Sequence, residues 1–288
     1  MELVDIDRLK VAGPGLPRVP VLGVPVDENS SYEPGAAEAP EAIAKRLFWA
    51  GGNPWTESDI DLSQSGLFSY LGGFAKNGED TFDQLSEAAQ WLARSGYRPI
   101  FIGGDHSISI PILRGLSKVY GDLSILHIDA HPDLYDDFDS NPNSHASPFA
   151  RIMEEGLAKR LVQVGIRTLN PHQRKQIARF GVECFEMCSE DRLPQLTFDG
   201  PVYLSIDMDG LDPAFAPGVS HREPGGLSTR QVIDLIHAAA GHLVAADVVE
   251  YNPRFDIGDL TAQVAAKLVR EAAGVMIAEE FERGGDDL

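Results

Sequence analysis

The chain has 288 residues, 43% of them apolar, which describes a globular protein of one large or two small domains and excludes a disordered one. Its 44 acidic against 24 basic residues leave a formal charge of -20, which repels nucleic acid and anionic membrane and attracts cations. No apolar run is long enough to span a bilayer, the charged start "MELVDIDRLK" lacks a secretion-signal core, and two cysteines, Cys184 and Cys188, are too few for a disulfide framework. A reducing cytoplasm is the expected location, with neither nucleic acid nor membrane as a partner.

Strand-like apolar runs alternate with helical patterns along the chain. The strands are expected at 19–26, 99–104, 124–129, 161–167, 182–187, 202–209 and 243–251. Most are near-continuous Val, Ile and Leu, as parallel strands covered on both faces require. A helix is expected from Thr81, with Gln84 completing a capping box and Phe82, Leu85, Ala89 and Leu92 on one face. Further helices are expected near 107–119, 147–159, 228–240 and 261–273. This βα alternation predicts a doubly wound α/β sheet. The Gly/Pro/Asn-rich stretches 139–144 and 212–226 each follow an acidic strand end. Ligands of open α/β sheets bind beyond the carboxyl ends of strands, so both stretches read as site walls in a single domain spanning 1–288.

Three motifs gather metal-ligand chemistry at such ends. In "GGDHS", His106 follows a strand and opens a helix. In "HIDAHPD", alternation puts Asp129, His131 and Asp133 on one side, and Pro132 ends the strand so that Asp133 turns back. His127 is set aside as a satisfied core histidine on the opposite face. In "LSIDMDGLDP", Asp207 and Asp209 alternate again, and Asp212 reads as a turn residue. An EF-hand reading fails there, because Leu211 and Gly218 occupy ligand positions.

Two histidines and four aspartates carry too much charge for one ion and suit two divalent cations. Oxygen-rich donors with some imidazole favour manganese over zinc. Two adjacent metals would lower the pKa of a shared water. His145, in a loop before a helix, is placed to exchange protons. Glu250 ends a long apolar strand, where a carboxylate calls for a cation, and a cationic substrate group is its natural partner.

The motifs "GGDHS", "DAHPD", "SHASPFARIMEEG", "SIDMDGLDPAFAPG" and "EPGGL" together resemble the ureohydrolase family of arginases and agmatinases. The features "QVGIR", "APGVSH" and "ADVVE" are most similar to its plant-type arginase branch. The resemblance implies a three-layer, mostly parallel eight-stranded sheet carrying two Mn2+ per subunit. Asp129 and Asp207 would bridge the metals, with His106 and Asp133 completing one ion and His131 and Asp209 the other. A metal-bridging hydroxide would attack the guanidinium carbon held by Glu250. Asp133 would relay a proton to the leaving amine, and His145 would exchange protons with solvent. A small guanidino substrate and a homotrimeric or homohexameric assembly are implied as well.

The departures from the family concern the far end of the substrate. Animal-type arginases carry Asn where this chain has Tyr135, and two acids where it has Asn170 and Gln173. Its "GVSHREPGG" puts His221 and Arg222 near the mouth, where Arg222 could pair with a carboxylate and favour arginine over agmatine. With His145 and Glu250, the expected substrate contacts are Tyr135, Asn143, Ser220, His221 and Arg222. A dinuclear phosphoesterase would need a later G-N-H segment, and the sequence has none. A non-catalytic binder would need an incomplete ligand set, whereas all six ligands are present.

Overall fold

The computed structural model describes residues 3–75, 80–190 and 192–283. Nine strands form one sheet: β1 (Leu3–Val4), β2 (Val19–Val24), β3 (Phe68–Phe74), β4 (Ile100–Gly103), β5 (Ser124–Ile128), β6 (Arg160–Ile166), β7 (Glu183–Glu186), β8 (Val202–Asp207) and β9 (Leu243–Val249). Their order across the sheet is β1-β3-β2-β4-β9-β8-β5-β6-β7, and every pairing is parallel. The expected eight strands are thus nine. All seven expected strands form, and the additions are β3, whose "FSYLGGF" mixes buried and half-buried positions, and the two-residue edge strand β1.

Eight α-helices accompany the sheet among the described residues: α1 (Ile6–Ala12), α2 (Ala39–Leu47), α3 (Thr81–Arg94), α4 (Ser109–Leu116), α5 (Pro148–Glu154), α6 (Pro171–Phe180), α7 (Thr229–Ala238) and α8 (Leu260–Arg283). Thr81 is the first residue of α3 and Asp80 its N-cap, so the expected capping box does not open that helix. A reciprocal box does open α7, where the Ser228 side chain caps the Gln231 N–H and Gln231 caps that of Ser228. None of the described helices is long and apolar enough to cross a membrane.

Strand alternation divides the core into two layers. Ile100, Ile102, Leu126, Leu204 and Val248 face a layer built with Ile43 of α2, Ile236 of α7 and Leu268 of α8. Phe101, Ile125, Tyr203 and Val249 face the other, with Leu9, Leu92, Leu113 and Phe149 from α1, α3, α4 and α5. Strands covered on both sides are apolar at nearly every position, which is why they were legible as continuous runs.

The chain steps from β4 over β9 and β8 to reach β5, and then returns to fill the gap. The carboxyl ends of these four central strands meet at that switch, where open α/β sheets bind ligands. Gly104, just past β4, lies against the neighbouring chain: an added Cβ would sit 1.7 Å from the Val26 carbonyl oxygen. Gly104→Ala should therefore cost ~3 kcal/mol or more of stability, read from denaturant midpoints, and an unchanged midpoint would contradict this packing.

Candidate active site

Each strand end delivers ligands by a local device. After β4, Asp105 caps the short 3-10 turn His106–Ile108 and fixes the start of the helical segment bearing His106. After β5, Asp133 adopts the left-handed region at φ 51°, at a cost of ~1–3 kcal/mol, so the chain turns back just past Pro132. After β8, a second 3-10 turn carries Asp209 beside Asp207.

Backbone N–H groups then orient three of the carboxylates. Asp129 Oδ1 accepts from His131 N at 2.6 Å, Asp207 Oδ1 from Asp209 N at 2.8 Å, and Asp209 Oδ1 from Ala130 N at 3.2 Å. The opposite oxygens face inward. His106 Nδ1 lies 3.1 Å from Asp133 Oδ2, 3.1 Å from Asp207 Oδ2 and 3.4 Å from Asp129 Oδ2. His131 Nδ1 lies 3.1 Å from Asp209 Oδ2 and 3.4 Å from Asp129 Oδ1. Asp129 therefore presents one oxygen to each imidazole.

The donors fit metal cations. His106 Nδ1 is buried and makes no hydrogen bond. His106 Nε2 lies 2.9 Å from Ser205 Oγ, and that hydroxyl donates to Asp247 Oδ1 at 2.7 Å. The serine oxygen is thus left to accept from Nε2–H, so the neutral ring turns its Nδ1 lone pair toward three carboxylates. Burial, then the Asp209 and Asp129 charges, push the Asp207 carboxyl well above its usual range. The three carboxylates hold His106 well above the usual histidine value, against the effect of burial. Without a metal, protons neutralise this cluster; bound cations would take their place.

His127 is not on the opposite face. It lies two residues before Asp129, so it has the same strand parity, and its Nε2 is 2.8 Å from Asp129 Oδ2. Gln163 Nε2 donates to its Nδ1 at 3.0 Å, so His127 Nε2–H donates to the carboxylate and steadies Asp129. Asp212 is the expected turn residue, accepting from the N–H groups of Ala214, Gly225 and Gly226.

Beside the cluster, His145 Nδ1 meets Glu250 Oε1 at 2.9 Å, and the same oxygen accepts from His106 N at 2.9 Å. Glu250, like Asp133, sits in the left-handed region, at φ 63°. Among the described residues its Oε2 makes no hydrogen bond, and Glu250 lines a cavity of about 490 Å³ that also reaches Asp133, Asp207 and Asp209. Burial opposes the imidazolium of His145, but the charge and hydrogen bond of Glu250, with the Asp133 and Asp105 charges, together lift the pKa to about 9. Ser31 serves both protonation states: its N–H donates to a neutral Nε2 at 3.1 Å, and its Oγ, 2.8 Å away, accepts from a protonated one.

Of the expected substrate contacts, Tyr135, His145, His221 and Glu250 line this cavity. Asn143, Ser220 and Arg222 do not. Asn143 is exposed, and Ser220 Oγ donates to the Glu33 carbonyl. The Arg222 guanidinium lies over the Phe255 ring at 4.5 Å, with Nε donating to the Pro217 carbonyl. Asn170 Nδ2 donates to the Tyr135 hydroxyl at 2.6 Å, which joins two of the departures noted in the sequence. Ser31 lies in the 27–43 loop that the family resemblance implies near the site, whereas Asp105, Gln163 and Asp247 went unread. Only Asp247 leaves a sequence signal, an acid inside the apolar run of β9.

The chain matches the arginase family over residues 17–274. It belongs to that family, whose members are hydrolases acting on guanidino or amidino groups. It is 47% identical over 274 residues to arginase 2, chloroplastic/mitochondrial, of Arabidopsis thaliana, covering 89% of this chain and 80% of that one. The solved arginase of Medicago truncatula superposes with a TM-score of 0.82 at 40% identity, over 94% of this chain and 91% of that one. The N(1)-aminopropylagmatine ureohydrolase of Thermus thermophilus is 36% identical, over 90% of each chain. The cytoplasmic expectation is overturned by the plant relatives, which are mitochondrial or chloroplastic. A low cysteine count does not distinguish the cytoplasm from an organelle interior.

Two outcomes follow for this site. A chelator should lower the melting temperature and added divalent cation should restore it; identical melting with and without metal would contradict a cation-filled cluster. In chelator, the stability drawn from the raised pKa of His145 is complete below about 6.5 and is lost as pH rises through about 9. Urea midpoints of wild type should fall toward those of His145→Asn across that window, and a constant gap would contradict the ion pair.

Proposed function

We propose that this chain, as one ureohydrolase domain, hydrolyses L-arginine to L-ornithine and urea with two Mn2+ bound. The observation that carries this reading is the free edge of Glu250 on the same cavity as the inward carboxylates of Asp133, Asp207 and Asp209. The names of the plant relatives support arginine as the substrate.

His106 and Asp133 would hold one ion and His131 and Asp209 the other, with Asp129 and Asp207 shared. When bound, the cation pair lowers the pKa of a shared water and makes hydroxide available near neutral pH. Glu250 binds the planar guanidinium by accepting a charge-assisted hydrogen bond at Oε2, which also orients its carbon toward the carboxylate cluster. Asp133, held toward the cavity by its turn, passes a proton to the departing amine. His145 then exchanges a proton with solvent through the cavity mouth, since Ser31 accommodates both ring states.

A second reading, agmatine or another guanidino substrate lacking a carboxylate, draws on a separate observation. The Arg222 guanidinium lies outside the cavity lining. Arg167 does line it, but its N–H groups donate to the carbonyls of Gly165, Asp209, Gly210, Leu211 and Glu223. Neither guanidinium is free for an α-carboxylate, and Thermus thermophilus supplies a relative named for an agmatine derivative.

Urea release from L-arginine and from agmatine, with manganese supplied, separates the two readings. Faster arginine turnover is expected, and faster agmatine turnover would reverse the assignment. Glu250→Gln should retain the metals yet lose roughly 10- to 100-fold in kcat/KM, the worth of one charged hydrogen bond. Wild-type kinetics in that variant would remove the guanidinium role. Asp129→Asn should lose at least one manganese per chain, so two ions counted by metal analysis would argue against a bridging carboxylate.

A further inference from the structure

A second cavity, of about 340 Å³, opens between the end of α2, the start of β3 and the middle of α8. It shares no lining residue with the active-site cavity. Its walls are mostly apolar, from Leu47, Phe48, Trp49, Pro54, Leu62 and Phe68, and its volume is that of a small-molecule pocket. Phe48 stacks on Phe68 at 5.5 Å, while Phe48 and Trp49 stand 50% and 54% exposed at the rim.

Arg270, on α8, also lines this cavity, although only 8% of its surface is exposed. Among the described residues it makes no hydrogen bond and no ion pair. The adjacent Glu271 is committed elsewhere. Its carboxylate accepts from Lys267 Nζ at 2.6 Å, His237 Nε2 at 3.0 Å and Glu57 N at 3.2 Å. A guanidinium withdrawn from water and left unpaired is costly, and protein interiors pair such groups. Among the described residues, the open space that Arg270 borders is this cavity.

We propose that this pocket binds a small monocarboxylate with a flat apolar body. The guanidinium fork of Arg270 holds the two carboxylate oxygens, and Phe48, Phe68 and Trp49 enclose the remainder. One cation in a cavity whose other lining residues, Asn53 and Ser63 among them, are uncharged neutralises a single charge. A dianion such as phosphate would keep an uncompensated charge inside a chain whose net charge is already -20. A recessed cation reached between aromatic rims selects a slender acid over a bulky one.

The test uses the full-length, metal-loaded protein and three probes: benzoate, its neutral isostere benzamide, and inorganic phosphate. Tryptophan fluorescence and melting temperature report binding, and sedimentation reports assembly. Benzoate should produce a saturable change, benzamide should bind at least ten times more weakly, and phosphate should be silent. Arg270→Met should abolish the benzoate response while urea release from a guanidino substrate is kept. Trp49→Ala, at a half-exposed rim position, should weaken benzoate several-fold, and it keeps the proposal testable if the Arg270 variant does not fold. Equal binding of benzoate and benzamide, no response to benzoate, or a benzoate affinity unchanged by Trp49→Ala would overturn the proposal. So would a wild-type oligomer that Trp49→Ala dissociates, because the pocket would then be a contact between copies.

Discussion

Like charges do not share a buried space unless something of opposite sign stands between them, and the switch point of this sheet is built around that constraint. Three aspartates turn their free oxygens toward His106, and a fourth faces His131. Asp129 touches both groups. Backbone N–H groups hold the outer oxygens of Asp207 and Asp209 and the Oδ1 of Asp129, so the carboxylates cannot swing away from one another. Hydrogen bonds from His127 to Asp129, and from Ser205 to Asp247, extend this control one layer outward. The result is a preorganised cluster that protons neutralise in the cation-free chain and that cations would occupy on binding.

The rest of the fold is arranged to bring these groups together. Parallel strands carry all their carboxyl ends to one edge of the sheet, and the step over β9 and β8 places the ligand-bearing ends of β8 and β5 side by side, with β4 across β9, whose own end carries Glu250. Asp133 and Glu250 both adopt left-handed backbone conformations that L-residues avoid. Such strain persists only where surrounding structure overdetermines it, and here it aims one group at the metal cluster and one at the cavity. The loop that supplies Ser31 is tied down from the opposite side. Asn29 N–H donates to Asp105 Oδ2, and the Asn29 carbonyl accepts from His145 N.

Much of this was legible before any coordinates. Continuous apolar runs ended in Asp and His at alternate positions, and both period and chemistry survive in a linear sequence. Six of the seven strands read in the sequence are buried along nearly their whole length, and the seventh, β7, is a half-exposed edge strand. β3 escaped because its centre is half-buried and interrupted by Gly72 and Gly73, and β1 is too short to have a period. α6 escaped because its buried positions are Gln173 and Gln176, so no apolar stripe marks it. His127 was misassigned through its parity, which matches that of Asp129. The family resemblance implies that the 27–43 loop lies near the site, but nothing in the sequence singles out Ser31 within it, since its partner His145 is 114 residues away and only the tertiary fold brings them into contact. The turn of Arg222 onto Phe255 is likewise a packing choice, set by a ring 33 residues further along the chain.

The central claim is that the carboxylate cluster exists to hold a pair of cations. Anomalous diffraction at the manganese edge, from crystals grown with that ion, tests this most directly. Two peaks are predicted, one among His106, Asp129, Asp133 and Asp207, and the other among Asp129, His131, Asp207 and Asp209. A single peak, or none at these residues, would contradict the account.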